Sequence, residues 1–420
     1  MTGLVVTAVL FPLAGWAAGR RSLAEAFLFG AGLLGAAMFI LGVLNVPFVV
    51  TMTAVAVAGV VQLVLALSSR AEVARAIVPA RSTATLTILT VVPLVLLALI
   101  VSIVPLHDFD GRAFWLLKAK ALANERTVDG PFFHLRSSYD PRNEYPLLIP
   151  LDAAAVMIAT RDADDPQVRW LYLFLFAALV VFVRRRIGPW YGAILAWLPQ
   201  FSFAAEGGAT SAYADIAIAA FVTAAVAEMI DGESPLRFGA WLSFLLLTKN
   251  EGLPIASVLL FIGAFRFRRR IGIAAIAPAV AAAALFVWRS GIPITDEENY
   301  AALLSSLPSR MGRILPAVWQ FARHLVIFWN WGVVGIAAVV ALALLAWRRE
   351  WRMPAIAASM AALYIGAYAV TNWNMSDLVA ASADRLLMQM IGPMLFAIAA
   401  VIGPNERSRY TPPERPPTPA

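Results

Sequence analysis

The sequence predicts an all-α, polytopic membrane protein of about 11–13 transmembrane helices, and three observations predict it. The first is composition: 61% of the 420 residues are hydrophobic, 14% are charged, and mean hydropathy is +0.76, outside the range of water-soluble domains. The second is the recurrence of long apolar runs; residues 86–104 alone, at ~1.5 Å rise per residue, cover roughly 28 Å of hydrocarbon. The third is the recurrence of arginine clusters between those runs, in loops that alternation places on one side.

Taken in order, the apolar runs are 4–18, 26–44, 46–67 and 86–104, then 170–183, 189–203 and 213–230, two half-length pieces at 238–247 and 253–265, and finally 271–288, 329–347, 354–370 and 386–402. Arg20 and Arg21 follow the first run instead of preceding it, the reverse of a secretory signal, so it reads as a span. The clusters Arg20–Arg21, Arg70/Arg75/Arg81, Arg184–Arg186, Arg266–Arg270, Arg348–Arg352 and Arg407/Arg409/Arg415 mark the cytoplasmic side. The net charge of +7 therefore reads as membrane orientation and not as nucleic-acid binding. There is no cysteine, which excludes a disulfide framework and thiolate metal sites. Residues 1–85 read as additional N-terminal transmembrane helices, 86–403 as the transmembrane body, and the proline-rich 404–420 as a disordered cytoplasmic tail.

The segment 105–169 is far longer than a connection between two helices requires, and it is dense in ionisable and aromatic residues, which points to function. Residues 111–123 have the pattern of a helix lying at the interface, with Phe114, Trp115 and Leu117 dipping into lipid, and 147–160 reads as a second surface-lying or shallow helix. Asp108 and Asp110 fall just past the end of the 86–104 span. A carboxylate there suits a general base, although Asp110 equally suits an N-cap for the helix that begins at Gly111. Asp215 opens a span, as a site residue orienting an acceptor or binding a metal, or as ordinary dipole complementation. Lys249 and Glu251 separate the two half-length pieces, which form a hairpin reaching partway across the bilayer; charges at depth are functional unless the two merely neutralise each other. Arg385 sits at the outer end of the last span, to hold an anion or to snorkel. His107, His134 and His324 have no metal-ligand spacing, so no metal ligands are assigned, while the chemistry leaves room for a divalent metal.

Five motifs in this order resemble the GT-C glycosyltransferases: D-x-D-G-R-x-x-W-x-x-K-A-K over 108–120, Glu144-Tyr145-Pro146-Leu147, Ser211-Ala212-Tyr213-Ala214-Asp215, Thr248-Lys249-Asn250-Glu251-Gly252 and Ala383-Asp384-Arg385-Leu386. The nearest resemblance is to the branch of protein O-mannosyltransferases and lipid A aminoarabinose transferases, and it covers most of 86–402. The Asp-Glu pair usual in the O-mannosyltransferases is here Asp110-Gly111, and the first three helices have no counterpart. The resemblance implies a catalytic domain over 86–403 and a polyprenyl-phosphate-linked sugar as donor. It implies Asp110 as the catalytic aspartate with Asp215 as a second acidic residue, Asp108 standing beside them. It also implies substrate contacts for Lys118, Tyr145, Lys249 and Glu251, with Arg385 near the carrier phosphate.

The expectation is thus an enzyme of the plasma (inner) membrane that moves a sugar from a polyprenyl phosphate to a glycan, lipid or protein acceptor on the outer, periplasmic face. The alternative is a multi-pass transporter or lipid-linked-sugar flippase without covalent chemistry, to which broken helices at mid-membrane are natural.

Overall fold

Over residues 2–19, 22–68, 83–135, 142–202, 206–293, 303 and 305–403, which the computed structural model describes, the protein is built of helices alone. The expected cytoplasmic tail and the arginines at 20, 21, 70, 75 and 81 lie outside the described residues. Four helices come first: α1 (Thr2–Ala17), α2 (Leu23–Val43), α3 (Phe48–Ser68) and α4 (Ala84–Ile103). Ser22 and Thr83 start α2 and α4 by accepting the amides of Glu25 and Leu86, the usual satisfaction of orphan N–H groups. A π-helical turn, Gly111–Leu116, runs into α5 (Leu117–Glu125), followed by α6 (Leu148–Thr160), α7 (Asp165–Ile187) and α8 (Pro189–Trp197). The remaining helices are α9 (Asp215–Asp231), α10 (Pro235–Thr248), α11 (Gly252–Phe267), α12 (Ile271–Ser290), α13 (Ile314–Leu325), α14 (Val334–Trp347), α15 (Arg352–Val370) and α16 (Met375–Ile402).

Among the described residues, seven stretches are long and apolar enough to cross a membrane: Leu23–Val43, Phe48–Ala66, Ala84–Ile103, Asp165–Ile187, Gly252–Ser290, Arg352–Val370 and Met375–Ile402. Gly252–Ser290 is α11 and α12 joined by a single 3-10 turn, at which Arg268 takes a φ of +48°. Thr2–Ala17, Pro235–Thr248 and Val334–Trp347 are apolar but shorter. The centre of the bundle is α9 against α16, where every residue from Asp215 to Met229 is buried. The periphery is the reverse: Val57, Val61 and Val64 of α3, Leu96 and Leu99 of α4 and Phe261 and Phe265 of α11 face outward, a surface that only an apolar solvent covers cheaply.

One end of the bundle gathers arginines. Arg186 pairs with Glu25 at 2.9 Å and with Asp231, Arg184 reaches Thr90 at 3.0 Å, Arg237 pairs with Glu228 and Glu233, and Arg266 donates to the Asp231 carbonyl. The clusters at 184–186 and 266–270 thus share an end, as the alternation of loops predicts.

Three expectations are corrected. The 111–123 helix does not turn its aromatic face to lipid: Trp115 is buried, Phe114 packs edge-on against both Trp115 and Tyr145, and of the three residues expected there Leu117 alone is exposed. The 148–160 helix is not surface-lying. Leu148 through Met157 are all buried, enclosed by α1, α2, α5 and α7, so α1 and α2 cover what looked like an interfacial segment. The hairpin is also longer than its apolar pieces suggest, because α10 and α11 run 14 and 16 residues, or roughly 21 and 24 Å. Its tip therefore lies level with the last turn of α12, where Arg289 grips Asn250.

Candidate functional site

At the end opposite the arginines, five of the expected site residues meet. Asp215 opens α9 fully buried, and its Oδ1 accepts from Lys249 Nζ at 3.1 Å and from Gln389 Nε2 at 3.0 Å. Lys249 leaves α10 in extended backbone and also pairs with Glu251 Oε1 at 3.1 Å. The Tyr364 hydroxyl of α15 donates to Gln389 Oε1 at 2.8 Å. One turn before Gln389 on the same face of α16, the Arg385 guanidinium lies 5.1 Å from the Tyr213 ring centroid and bonds Asp110 Oδ2 at 3.2 Å. Three buried atoms in this cluster have no hydrogen-bond partner among the described residues: Asp215 Oδ2, Glu251 Oε2 and Arg385 Nε.

The local sequence explains how these groups come together. Gly111 lets the chain after Asp110 lie directly on the Ser211 carbonyl, where a Cβ would collide with backbone. Arg169, buried near the start of α7, donates to the carbonyls of Val104 and Thr210 and so ties the end of α4 to the strand of chain before Asp215. Arg289 does the same for the hairpin, donating to the Glu144 carbonyl at 2.8 Å and to Asn250. Gly207, at φ +81°, turns the 206–214 segment against the Arg385 side chain.

Asp110 makes no cap hydrogen bond. It is itself helical, with φ −62° and ψ −38°, and its half-exposed carboxylate is spent on Arg385 instead. Asp108 stands nearby without joining the network; burial, reinforced by Glu206, raises its carboxyl above the ordinary carboxylate range against the pull of Arg169. Lys118 is fully buried, donates to the Arg142 carbonyl at 2.6 Å and lies 3.8 Å from the Phe114 ring centroid and 5.3 Å from that of Tyr145. Lys118 and Tyr145 thus hold the 142–147 turn on the π-helical turn that follows Asp110, in a separate aromatic cluster. Arg385 does not snorkel, and Lys249 and Glu251 do not simply cancel, since Lys249 also serves Asp215.

Sequence reasoning passed over Gln389, Tyr364, Arg169 and Arg289, and named Tyr213 only as part of a motif. Gln389 carried a readable signal, being a polar residue one helical turn after Arg385 in an otherwise apolar run. Among the described residues no group of three or more metal-ligating side chains occurs. Comparison with protein-family models, with curated proteins and with solved structures finds no match.

Chemically, the arrangement offers one half-exposed carboxylate, two cations, of which Arg385 has a buried Nε–H with no partner among the described residues, and a buried carboxylate held by one cationic and one neutral partner. An anionic ligand that took Arg385 would release Asp110 to act as a base.

Proposed function

We propose that the protein is a glycosyltransferase of the plasma membrane that moves a sugar from a polyprenyl-phosphate carrier to an acceptor hydroxyl on the outer face. The observation that carries this reading is the Arg385–Asp110 ion pair beside Lys249 and Asp215: a base and two cations converge from segments far apart in the chain. The acceptor oxygen attacks C1 of the sugar, the C1–O bond to phosphate breaks with inversion, and the phosphate leaves with the electron pair. Arg385 and Lys249 hold that phosphate, and Asp110 takes the acceptor proton. Asp215 keeps Lys249 extended towards the donor and helps to orient the acceptor.

The test is to incubate the purified protein with a panel of radiolabelled polyprenyl-phosphate sugars and cell-envelope glycans, lipids and proteins. Transfer is expected for the wild type and is lost in Asp110→Asn while folding is retained. An active Asn variant removes Asp110 from the mechanism, and donor translocation without transfer favours a flippase.

A further inference from the structure

We infer that the tight turn joining α14 to α15, residues 347–352, binds an anionic phospholipid of the leaflet at the arginine end of the bundle. It reads Trp347, Arg348, Arg349, Glu350, Trp351 and Arg352, all exposed, with Trp347 80% and Trp351 61% accessible. The helices fix which end it occupies. Late in α15, Tyr364 donates to Gln389 and Tyr368 meets the Ser382 hydroxyl at 2.9 Å, so that part of α15 lies beside the candidate site. α15 runs 19 residues, about 28 Å and close to the ~30 Å of a hydrocarbon core. Its first turn therefore emerges at the opposite end. Trp351 starts this span and Trp373, 53% exposed, follows it, the placing of indoles at the two interfaces.

Charge separates this turn from its neighbours. Arg186, Arg237, Arg266 and Arg270, at the same end, are spent on carboxylates and carbonyls of the chain itself. Among the described residues Arg348, Arg349 and Arg352 make no hydrogen bond or ion pair. The first turn of α15 holds no acid, so Glu350 is the one carboxylate set against three guanidinium groups. The backbone is well fixed: Arg349 takes φ +63°, and the amides of Arg348 and Glu350 donate to the carbonyls of Leu344 and Leu345. Guanidinium groups grip phosphate oxygens in pairs, and an excess of them favours an anionic headgroup over a zwitterionic one. The rest of the occupant is apolar. Ile336, Val340, Ala343 and Trp347 recur every three or four residues on one exposed face of α14, a strip that acyl chains can follow away from the headgroup. A soluble anion would use the arginines and leave the two indoles and this strip without a role. Arg268 and Arg269 are also unpaired and exposed, without a tryptophan in their turn.

Native mass spectrometry of the detergent-purified protein, titrated with phosphatidylglycerol and with phosphatidylcholine of the same acyl chains, counts bound lipids and gives a Kd for each. The wild type is expected to prefer phosphatidylglycerol. At about five-fold per arginine near a lipid surface, Arg349→Gln with Arg352→Gln should raise the phosphatidylglycerol Kd roughly 25-fold and leave that of phosphatidylcholine unchanged. Arg268→Gln with Arg269→Gln removes the same charge from the same end and should change it far less; an equal loss would reduce the effect to bulk charge and overturn the site. Trp347→Leu with Trp351→Leu should also weaken phosphatidylglycerol binding. Wild-type affinity in that variant, or full displacement of the lipid by millimolar inorganic phosphate, would assign the turn to a soluble anion and overturn the lipid as occupant. An unchanged melting midpoint shows that each variant folds, and Arg349→Gln alone, expected to lose about five-fold, replaces a pair that does not.

Discussion

Replacing Lys249 by methionine keeps most of the side-chain volume and removes the one charge shared by Asp215 and Glu251. In the wild type, three carboxylates (Asp110, Asp215, Glu251) face two cations (Lys249, Arg385), a local balance of 2 − 3 = −1; the variant takes it to 1 − 3 = −2. Removing one partner of a buried pair costs about 3–5 kcal/mol. Asp215 keeps the Gln389 amide at 3.0 Å, and Glu251 is 29% exposed and can hydrate, so the lower figure, about 3 kcal/mol, is expected. Glu251→Ala should cost only about 0–1 kcal/mol, because Lys249 retains Asp215. Lys249→Met with Glu251→Ala should stay close to the single Lys249 loss, whereas Lys249→Met with Asp215→Asn should recover most of it. Unfolding by dodecyl sulfate titration in mixed micelles gives each free energy. If the Glu251 double variant recovers and the Asp215 one does not, the network is a local Lys249–Glu251 pair and the reasoning from Asp215 fails.

Arg169→Met should lower stability by about 1.5–3 kcal/mol through the lost charged hydrogen bonds to Val104 and Thr210, read in the same titration; an unchanged midpoint would show that these loops are held elsewhere. Asp152, fully buried in α6 against the Gly35 backbone with no side-chain hydrogen bond to its carboxylate among the described residues, should be improved by Asp152→Leu, by about 1–3 kcal/mol, and a loss on melting would instead reveal a polar occupant. Asp108 binds its proton more tightly folded than unfolded because burial raises its pKa, so stability should fall as pH rises from the ordinary carboxylate range through the raised value. Asp108→Asn should flatten that slope, and superimposable melting profiles between pH 3.5 and 7 would contradict it.

The apolar helices were legible because each signals itself: an uninterrupted hydrophobic run needs no partner to be recognised. What covers an apolar face was not legible. Phe114 and Trp115 of the π-helical turn and Leu148 to Met157 of α6 carry the pattern of residues meeting lipid, yet protein covers them, and hydrophobicity alone does not distinguish a lipid tail from a leucine.

The candidate site divides along the same line. Charges in an apolar chain announce themselves, since burial without a partner is costly, and Asp110, Asp215, Lys249, Glu251 and Arg385 stand out for that reason. Which cation meets which carboxylate depends on packing across large separations: 275 residues between Asp110 and Arg385 and 34 between Asp215 and Lys249. Sequence proximity favours Lys249 with Glu251, and the fold adds the more deeply buried Asp215 by packing the start of α9 against the end of α10. Neutral members bear less of that cost when they face one another, so Tyr364 leaves no mark in the sequence and Gln389 shows only as a single polar residue in an apolar run. They are nonetheless what lets Asp215 remain buried: the Gln389 amide donates to its carboxylate while Tyr364 fixes the amide's orientation from the other side. A charge network inside a membrane is thus half visible in its sequence, through the groups that must be paired, and half hidden, in the neutral groups that make the pairing geometrically possible.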